Sequence, residues 1–224
     1  MNTLVELAAR AEGQPSPPGS GPYSYVHTRG RQLATDQMTD GRILDARVEE
    51  TEREIWVAAD GSGRIEETRD GRRSRTSGVF GPGGLWPGPL TATTGFPAHV
   101  ALPPPSPLPV GWIKDMRSLW QIQTVEPALQ AGLLRHLAIQ RGLLLEETTD
   151  RAGRPGLAVS ADDPPSRSGH RSRHVLVLDR ETGMLLAAEE ITLQRGELPG
   201  GMPDPHSYTS WVRSGYAPDP DTRP

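Results

Sequence analysis

Strand–turn–strand segments recur along the chain, and they constrain its fold more than any other feature. Asp-Gly supplies the positive φ angles that tight hairpin turns require. Such pairs occur at Asp40-Gly41, Asp60-Gly61 and Asp70-Gly71. The segments 143–160 and 174–196 each place apolar, β-prone residues on both sides of a turn-forming sequence. These features predict a mostly antiparallel sheet that is built from hairpins.

One segment departs from the strand pattern and has the periodicity of a helix. Its apolar residues recur at spacings of three to four, at Leu129, Leu133, Leu134 and Leu137, so that they share one helix face. Pro127 suits the first turn of this helix, and Gly142 suits its C-terminal cap. We therefore predict a helical block at 112–141, with a short first helix and a longer second one.

The predicted organisation is a single domain over residues 1–224. Its parts are an N-terminal helix at 3–12, a linker at 13–22, β hairpins at 23–73, a Pro/Gly-rich flap at 74–111, the helical block at 112–141, further β hairpins at 142–216 and a loose tail at 217–224. The fold class is α+β, a curved antiparallel sheet wrapped over one main amphipathic helix with additional short helices. The flap is long for a loop inside a domain, and its Phe80, Leu85, Trp86 and Phe96 argue against complete disorder.

Composition excludes several classes of function. The formal net charge is −4 and the charges are well mixed, so no basic stripe for nucleic acid is expected. The chain has no cysteine, which excludes disulfides and thiolate chemistry. No stretch approaches the roughly 20 apolar residues of a membrane-spanning helix. We therefore expect no membrane insertion by this segment itself.

Catalytic and metal-binding motifs are not recognisable in the sequence. His170 and His174 would share a face only in a helix, whereas their neighbours indicate a loop and a strand. We expect no metal site and no cofactor. Alternate carboxylates of the segment 49–54 would share a strand face and could form an acid–base pair. The abundance of glutamate is more typical of a solvated sheet face, but an enzyme with an unfamiliar carboxylate site remains an alternative.

Aromatic residues form the candidate binding site. A tryptophan combines a large apolar surface with a polar N–H group, which suits the mouth of a pocket. We predict that a cavity between sheet and helices is lined by Tyr25, Trp56, Trp86, Trp112 and Trp120. The alternative for each of them is ordinary packing in the core.

Several segments together carry a resemblance to a known family. They are PYSYVHTRG, EIWVAADGSGR, the Leu-rich helix and the closing run DRAGRPGLAVS…HVLVLDRETGMLLAAEEITL, which together span about residues 3–216. In this order they resemble the CU044_5270 family, a group of uncharacterised actinobacterial proteins. Members of that family look like membrane-anchored proteins whose ectodomain follows a cytoplasmic segment and one transmembrane helix. The resemblance implies an extracytoplasmic ectodomain, whereas a chain complete as given would be cytoplasmic.

The same pattern also resembles carrier folds of the LolA and RseB type. In those folds an open half-barrel sheet wraps over helices and leaves an apolar cavity. The resemblance implies a non-enzymatic binding or sensor domain that holds an apolar small molecule, a lipid or a partner protein between sheet and helices. A purely structural interaction domain is a further alternative, and its signature would be an exposed apolar patch or sheet edge.

Overall fold

The computed structural model combines one large antiparallel sheet with helices on one of its faces. It describes residues 3–37, 43–85, 108–164, 169–196, 205 and 207–224. Within these ranges the elements are α1 Thr3–Glu12, β1 Tyr23–Gln37, β2 Ile43–Ala58, β3 Gly63–Arg69, β4 Arg72–Arg73, β5 Gly78–Phe80, α2 Pro109–Ile122, α3 Pro127–Ala138, β6 Leu144–Thr149, β7 Pro155–Asp162, β8 Arg171–Asp179, β9 Leu185–Gln194 and β10 Ser207–Ala217.

The described strands form an open sheet in which neighbouring strands run antiparallel. The strand order is β4-β3-β2-β1-β10-β9-β8-β7-β6, and β5 pairs with β3. β1 and β2 form a long hairpin, and β10 adds to the other side of β1. The last strand thereby joins the two halves of the chain into one sheet. The α+β class and the antiparallel hairpins predicted from the sequence are confirmed.

Side chains alternate between the two faces of this sheet, as the pleat of a strand requires. We call the face that packs against the helices the inner face and the opposite one the outer face. Val26 of β1 and Ile55 of β2 are paired and join the main core on the inner face. Their neighbours Tyr25 and Trp56 are also paired, and they form a separate cluster on the outer face.

The helices cover part of the inner face. The backbone of α2 approaches β1, β7 and β8, whereas α3, which the sequence predicts as the main helix, lies mainly against α1. Helix α2 begins at Pro109, earlier than the predicted 112, because the fixed φ angle of proline suits a first helical turn. None of the helices in the described ranges combines the length and the apolar character that crossing a bilayer requires.

The C-terminal residues 218–224, which the sequence predicts to be loose, lie against the outer face. The indole Nε1 of Trp56 donates a hydrogen bond of 2.7 Å to the carbonyl of Thr222. The guanidinium of Arg223 donates two hydrogen bonds to the carboxylate of Glu54, of 2.8 and 2.7 Å. These partners lie more than 150 residues apart in sequence, so local composition gave no indication of the contacts.

Candidate functional site

Two of the predicted site residues, Tyr25 and Trp56, are brought together on the outer face. Their ring centroids lie 5.0 Å apart, and each side chain is about 1% exposed. The Tyr25 hydroxyl donates a 2.6 Å hydrogen bond to Glu54. Burial, with the adjacent Glu54 carboxylate, raises the pKa of Tyr25 well above its usual value. Both polar groups are satisfied within the chain, which is the arrangement of a packed cluster.

The pH dependence of stability provides a test of this cluster. The hydrogen bond from Arg223 lowers the pKa of Glu54 below its usual 4.5, and the hydrogen bond from Tyr25 adds to this effect. A lowered carboxyl pKa stabilises the folded state above the unfolded-state pKa, and that contribution is lost as the pH falls through the folded-state value. We expect Glu54→Gln to flatten the fall in stability below about pH 5, measured by urea unfolding between neutral and acidic pH.

A matched variant at Arg223, the partner of Glu54, tests the same contact. Arg223→Gln removes the principal hydrogen-bond donor to Glu54. Like Glu54→Gln, it should therefore make the free energy of unfolding fall less steeply below about pH 5. If the free energy of unfolding fell as steeply with acidic pH in both variants as in the unmodified chain, the described contact between the tail and the outer face would be contradicted.

Trp112 and Trp120 lie on the other side of the sheet, in the helical layer. Trp112 packs against the ring of His136, with centroids 4.5 Å apart, and its Nε1 atom has no hydrogen-bond partner within the described part of the chain. Trp120 Nε1 donates to Gln130 at 3.0 Å, and Trp120 packs edge-on against Trp211. Tyr25 and Trp56 are therefore separated from Trp112 and Trp120 by the sheet.

Trp86, the remaining predicted site residue, lies outside the described residues, as does most of the predicted flap. The described part of the flap includes β5, which pairs with β3, and Leu85, which packs against the main core. Phe96 also falls outside the described ranges. The ligand-binding role of Trp86 stays a prediction, and so does the role of Phe96 in anchoring the flap.

The inner face becomes polar towards the far end of the β1–β2 hairpin. The apolar pair of Val26 and Ile55 is followed, two residues further along both strands, by the pair of Thr28 and Arg53. Because side chains two residues apart share a strand face, Thr28 and Arg53 continue the inner face. The apolar core gives way to polar side chains at this point.

A cavity of about 160 Å³ opens at this transition, and we call it the inner groove. It is lined by Thr28, Arg29, Gln32, Thr51, Arg53, Ile65, Glu67, Thr76, Gln121 and Thr209. Gln121, near the C-terminal end of α2, donates a 3.3 Å hydrogen bond from Nε2 to the hydroxyl of Thr209 on β10. This contact closes the groove on the side of the helix.

Arg53 is the charged residue of the groove whose contacts to its partners are longest. Its side chain is 22% exposed, and it donates one long hydrogen bond of 3.3 Å to the backbone carbonyl of Gln121. Its Nε atom lies 3.8 Å from Glu67, which is beyond hydrogen-bond distance. Burial lowers the pKa of Arg53. Since a guanidinium carries several N–H donors, most of them lack an acceptor among the described residues.

Arg117 repeats this situation one helical turn before Gln121. Its side chain is 20% exposed and its nearest carboxylate oxygen, on Glu190, is 4.0 Å away. It also donates a long 3.4 Å hydrogen bond to the hydroxyl of Ser207. Burial lowers the pKa of Arg117 as well. Two desolvated guanidinium groups with long contacts therefore lie along the inner face beside α2.

The neighbouring carboxylates form shorter hydrogen bonds than Arg53 and Arg117 do. Glu67 accepts a 2.7 Å hydrogen bond from Arg69. Glu49, which is 8% exposed, accepts a 2.9 Å hydrogen bond from Arg47. The carboxylates Glu49 and Glu67 are thus occupied, and within the described ranges the unfilled hydrogen-bonding capacity belongs to the donors of Arg53 and Arg117.

The Glu-rich strand β2 does not hold its carboxylates as isolated acids. On the outer face Glu50 pairs with Arg31, Glu52 with Arg29, and Glu54 with Arg223. The pKa of Glu52 is lowered by hydrogen bonds from Arg29 and His27, which outweigh the opposing effect of burial. No cluster of three or more metal-ligating side chains occurs in the ranges that the structure covers.

A second cavity of about 350 Å³ lies on the outer face. Its lining is Arg29, Arg151, Ala152, Arg154, Tyr208, Ser210, Trp211 and Val212. Its three arginines are paired with carboxylates at short distances: Arg29 with Glu52 at 2.8 Å, Arg151 with Glu189 at 3.0 Å and Arg154 with Asp150 at 2.6 Å. The inner groove is the stronger candidate site, because it contains Arg53, whose contacts are long, whereas Arg29, which borders both cavities, is paired with Glu52.

Sequence reasoning did not identify Arg53, Gln121 or Thr209 as site residues. One signal was present in β2, where Arg53 and Thr51 continue the face of Ile55 and Val57 and so interrupt an apolar series. The assembly of the groove depends on contacts between residues 68 and 88 positions apart. Local sequence patterns do not predict contacts over such separations.

Comparison with known proteins finds solved structures of low similarity, among them two complexes. No family model and no curated protein matches the chain. The crystal structure of MucB in complex with MucA(peri) matches at 16% identity and a TM-score of 0.31, over 96% of this chain and 55% of that one. The Pseudomonas aeruginosa MucA/MucB complex matches at 18% identity and a TM-score of 0.28, over 98% and 59%.

The chain thus spans little more than half the length of the structures it matches. At these TM-scores the likeness is too low to extend any property of MucB to this chain. The resemblance to the CU044_5270 family likewise remains an expectation.

Proposed function

We propose that this chain is a binding domain that receives a segment of a partner protein in the inner groove. The observation that carries the proposal is Arg53, whose guanidinium is largely desolvated and donates, among the described residues, one long hydrogen bond of 3.3 Å. Removing a charged donor from water without giving it acceptors is unfavourable. A bound partner that supplies acceptors would recover that cost. The proposal retains the extracytoplasmic location that the family resemblance implies.

The space between sheet and helices is filled by packed side chains, which favours a protein partner over an apolar ligand. Met116, Leu134 and Leu137, which point into that space, are 0% exposed and belong to one continuous core. The two cavities described above lie elsewhere, and most of the residues that line them are polar or charged. An apolar molecule held under the sheet would have to displace packed side chains, which is costly in a close-packed interior.

The size of the groove also favours an extended polypeptide. Pockets for drug-sized ligands have volumes of about 300–1,000 Å³, whereas the inner groove has about 160 Å³. That volume accommodates one or two side chains of a segment that runs across the surface. Binding is favoured over acid–base catalysis because the nearby carboxylates Glu49 and Glu67 are already paired with arginines.

Binding of short peptides tests the proposal. We would measure fluorescence anisotropy with capped, labelled heptapeptide mixtures whose third and fifth positions are both Glu, both Gln or both Lys, the other positions being randomised. We expect at least one mixture to bind. Thr51→Tyr, which places a ring in the groove, should weaken that binding by about tenfold or more, equivalent to about 1.4 kcal/mol.

Thr68→Tyr is the matched control for this experiment. Thr68 is half-buried like Thr51, but it lies on the outer face of the adjacent strand β3. It should leave peptide binding within about twofold of the unmodified chain. Absence of binding by all three mixtures, or equal binding by the two variants, would show that the groove is not a peptide site.

A further inference from the structure

We infer that the inner groove, together with Arg117 one turn earlier in α2, selects an extended peptide that carries two carboxylate side chains two residues apart, one for Arg53 and one for Arg117. This inference rests on the proposed function and adds the chemistry of the partner. The selection would come from charge-assisted hydrogen bonds, which form best between a planar guanidinium and a carboxylate.

The hydrogen-bond donors available on the inner face favour an anionic ligand. Arg53 and Arg117 have their nearest carboxylate oxygens at 3.8 and 4.0 Å, respectively. Glu67, the carboxylate nearest to Arg53, receives its short hydrogen bond from Arg69, and the neighbouring Glu49 receives one from Arg47. A ligand carboxylate would therefore find unfilled N–H donors without having to break a short ion pair.

The positions on α2 and β10 that the two arginines approach determine how far apart the two carboxylates of the ligand should lie. Arg117 precedes Gln121 by one turn of α2, a rise of about 6 Å along the helix axis. On β10 their partners Ser207 and Thr209 are two residues apart, a distance of about 7 Å. Side chains two positions apart in an extended peptide share a face at that same distance. Because Arg53 donates to the carbonyl of Gln121 and Arg117 donates to the hydroxyl of Ser207, a Glu-x-Glu pattern fits the spacing of the positions that the two guanidinium groups contact.

The surroundings favour a carboxylate over a phosphate. Glu67 lies 3.8 Å from Arg53 and Glu190 lies 4.0 Å from Arg117, so each guanidinium already has one negative charge nearby. A phosphate carries nearly two charges at neutral pH, and a larger ligand charge strengthens the repulsion from the nearby carboxylate as well as the attraction to the guanidinium, so the extra charge gives phosphate no clear advantage. Ile65 adds an apolar wall to the groove, against which the methylene groups of a glutamate side chain can pack.

The experiment compares the affinities of the Glu-x-Glu, Gln-x-Gln and phosphoserine-x-phosphoserine heptapeptide mixtures, measured by fluorescence anisotropy. We expect Glu-x-Glu to bind about tenfold or more tightly than Gln-x-Gln, with an affinity that falls as the salt concentration rises. Arg53→Gln and Arg117→Gln should each reduce this preference, and the double variant should remove it. Arg72→Gln, a change at an exposed arginine of β4, should leave it intact.

The comparison between ligands needs no protein variant, so a folding defect in Arg53→Gln cannot obscure the result. Equal affinity for Glu-x-Glu and Gln-x-Gln would overturn the inference while leaving the groove a peptide site. Tighter binding of the phosphoserine mixture would overturn it in favour of a phosphorylated partner. Absence of binding by every mixture would instead overturn the proposed function on which the inference rests.

Discussion

Replacing Arg154 by methionine is expected to lower the free energy of unfolding by about 3–5 kcal/mol. Arg154 stands in the turn between β6 and β7, and its Nη2 atom lies 2.6 Å from the carboxylate of Asp150. The side chain of Asp150 is 0% exposed. Removing the guanidinium leaves a buried carboxylate without its cation, which is among the most destabilising changes that a single substitution makes.

Arg154 also occupies a gap in the sheet. β9 and β10 are paired only where Ala187–Glu190 faces Ser207–Ser210. Beyond that stretch the carbonyl groups of Leu186 and Trp211 accept hydrogen bonds from Arg154 instead, at 2.9 and 3.2 Å. The arginine therefore replaces ladder hydrogen bonds at the point where two strands separate, and its loss leaves these carbonyls unpaired.

Arg151 in the same turn supplies the control. It pairs with Glu189 at 3.0 Å, but its side chain is 48% exposed, and an ion pair exposed to solvent contributes about 1 kcal/mol or less. Urea unfolding of Arg154→Met and Arg151→Met should therefore give clearly different losses. Equal losses would contradict the bridging role of Arg154.

Leu134→Ala should cost about 3–5 kcal/mol of unfolding free energy. Leu134 is 0% exposed and lies in α3, in the same continuous core as α1, α2 and the inner face of the sheet. The substitution removes apolar contacts and leaves a cavity that the surrounding elements can only partly fill. Denaturant unfolding measures the effect directly.

Ile139→Ala is the matched change outside the core. Ile139 caps the C-terminus of α3 and is 70% exposed, so its truncation should change stability by about 0.5 kcal/mol or less. A loss below about 1 kcal/mol for Leu134→Ala would mean that the interior between sheet and helices is loosely packed. That result would restore the apolar-ligand hypothesis that the packed core now disfavours.

The features that the sequence predicted well are those encoded within a few residues. Asp60-Gly61 and Asp70-Gly71 occur at turns between strands, and Gly61 and Gly71 have the positive φ angles that such turns require. The Leu-rich segment forms α3 because its apolar spacing and Pro127 both favour a helix. Each of these signals acts locally, so a single sequence reveals it.

The features that the sequence did not predict depend on distant partners. Tyr25 and Trp56 do meet, but they meet on the outer face, because the register of β1 against β2 pairs them on the side opposite Val26 and Ile55. Arg53 reaches the groove only because α2 ends above it. Strand register and helix placement are tertiary outcomes, and a list of aromatic residues could not separate core packing from ligand contact.

Amide hydrogen exchange with and without a saturating Glu-x-Glu peptide mixture tests the central claim most directly. We predict slower amide exchange confined to the groove, at residues 51–53 of β2, at Gln121 and at Thr209. The exchange rates of the outer-face cluster of Tyr25 and Trp56 should be unchanged. Protection confined to the outer face, or to the interior around Met116 and Leu134, would contradict a polar peptide site on the inner face.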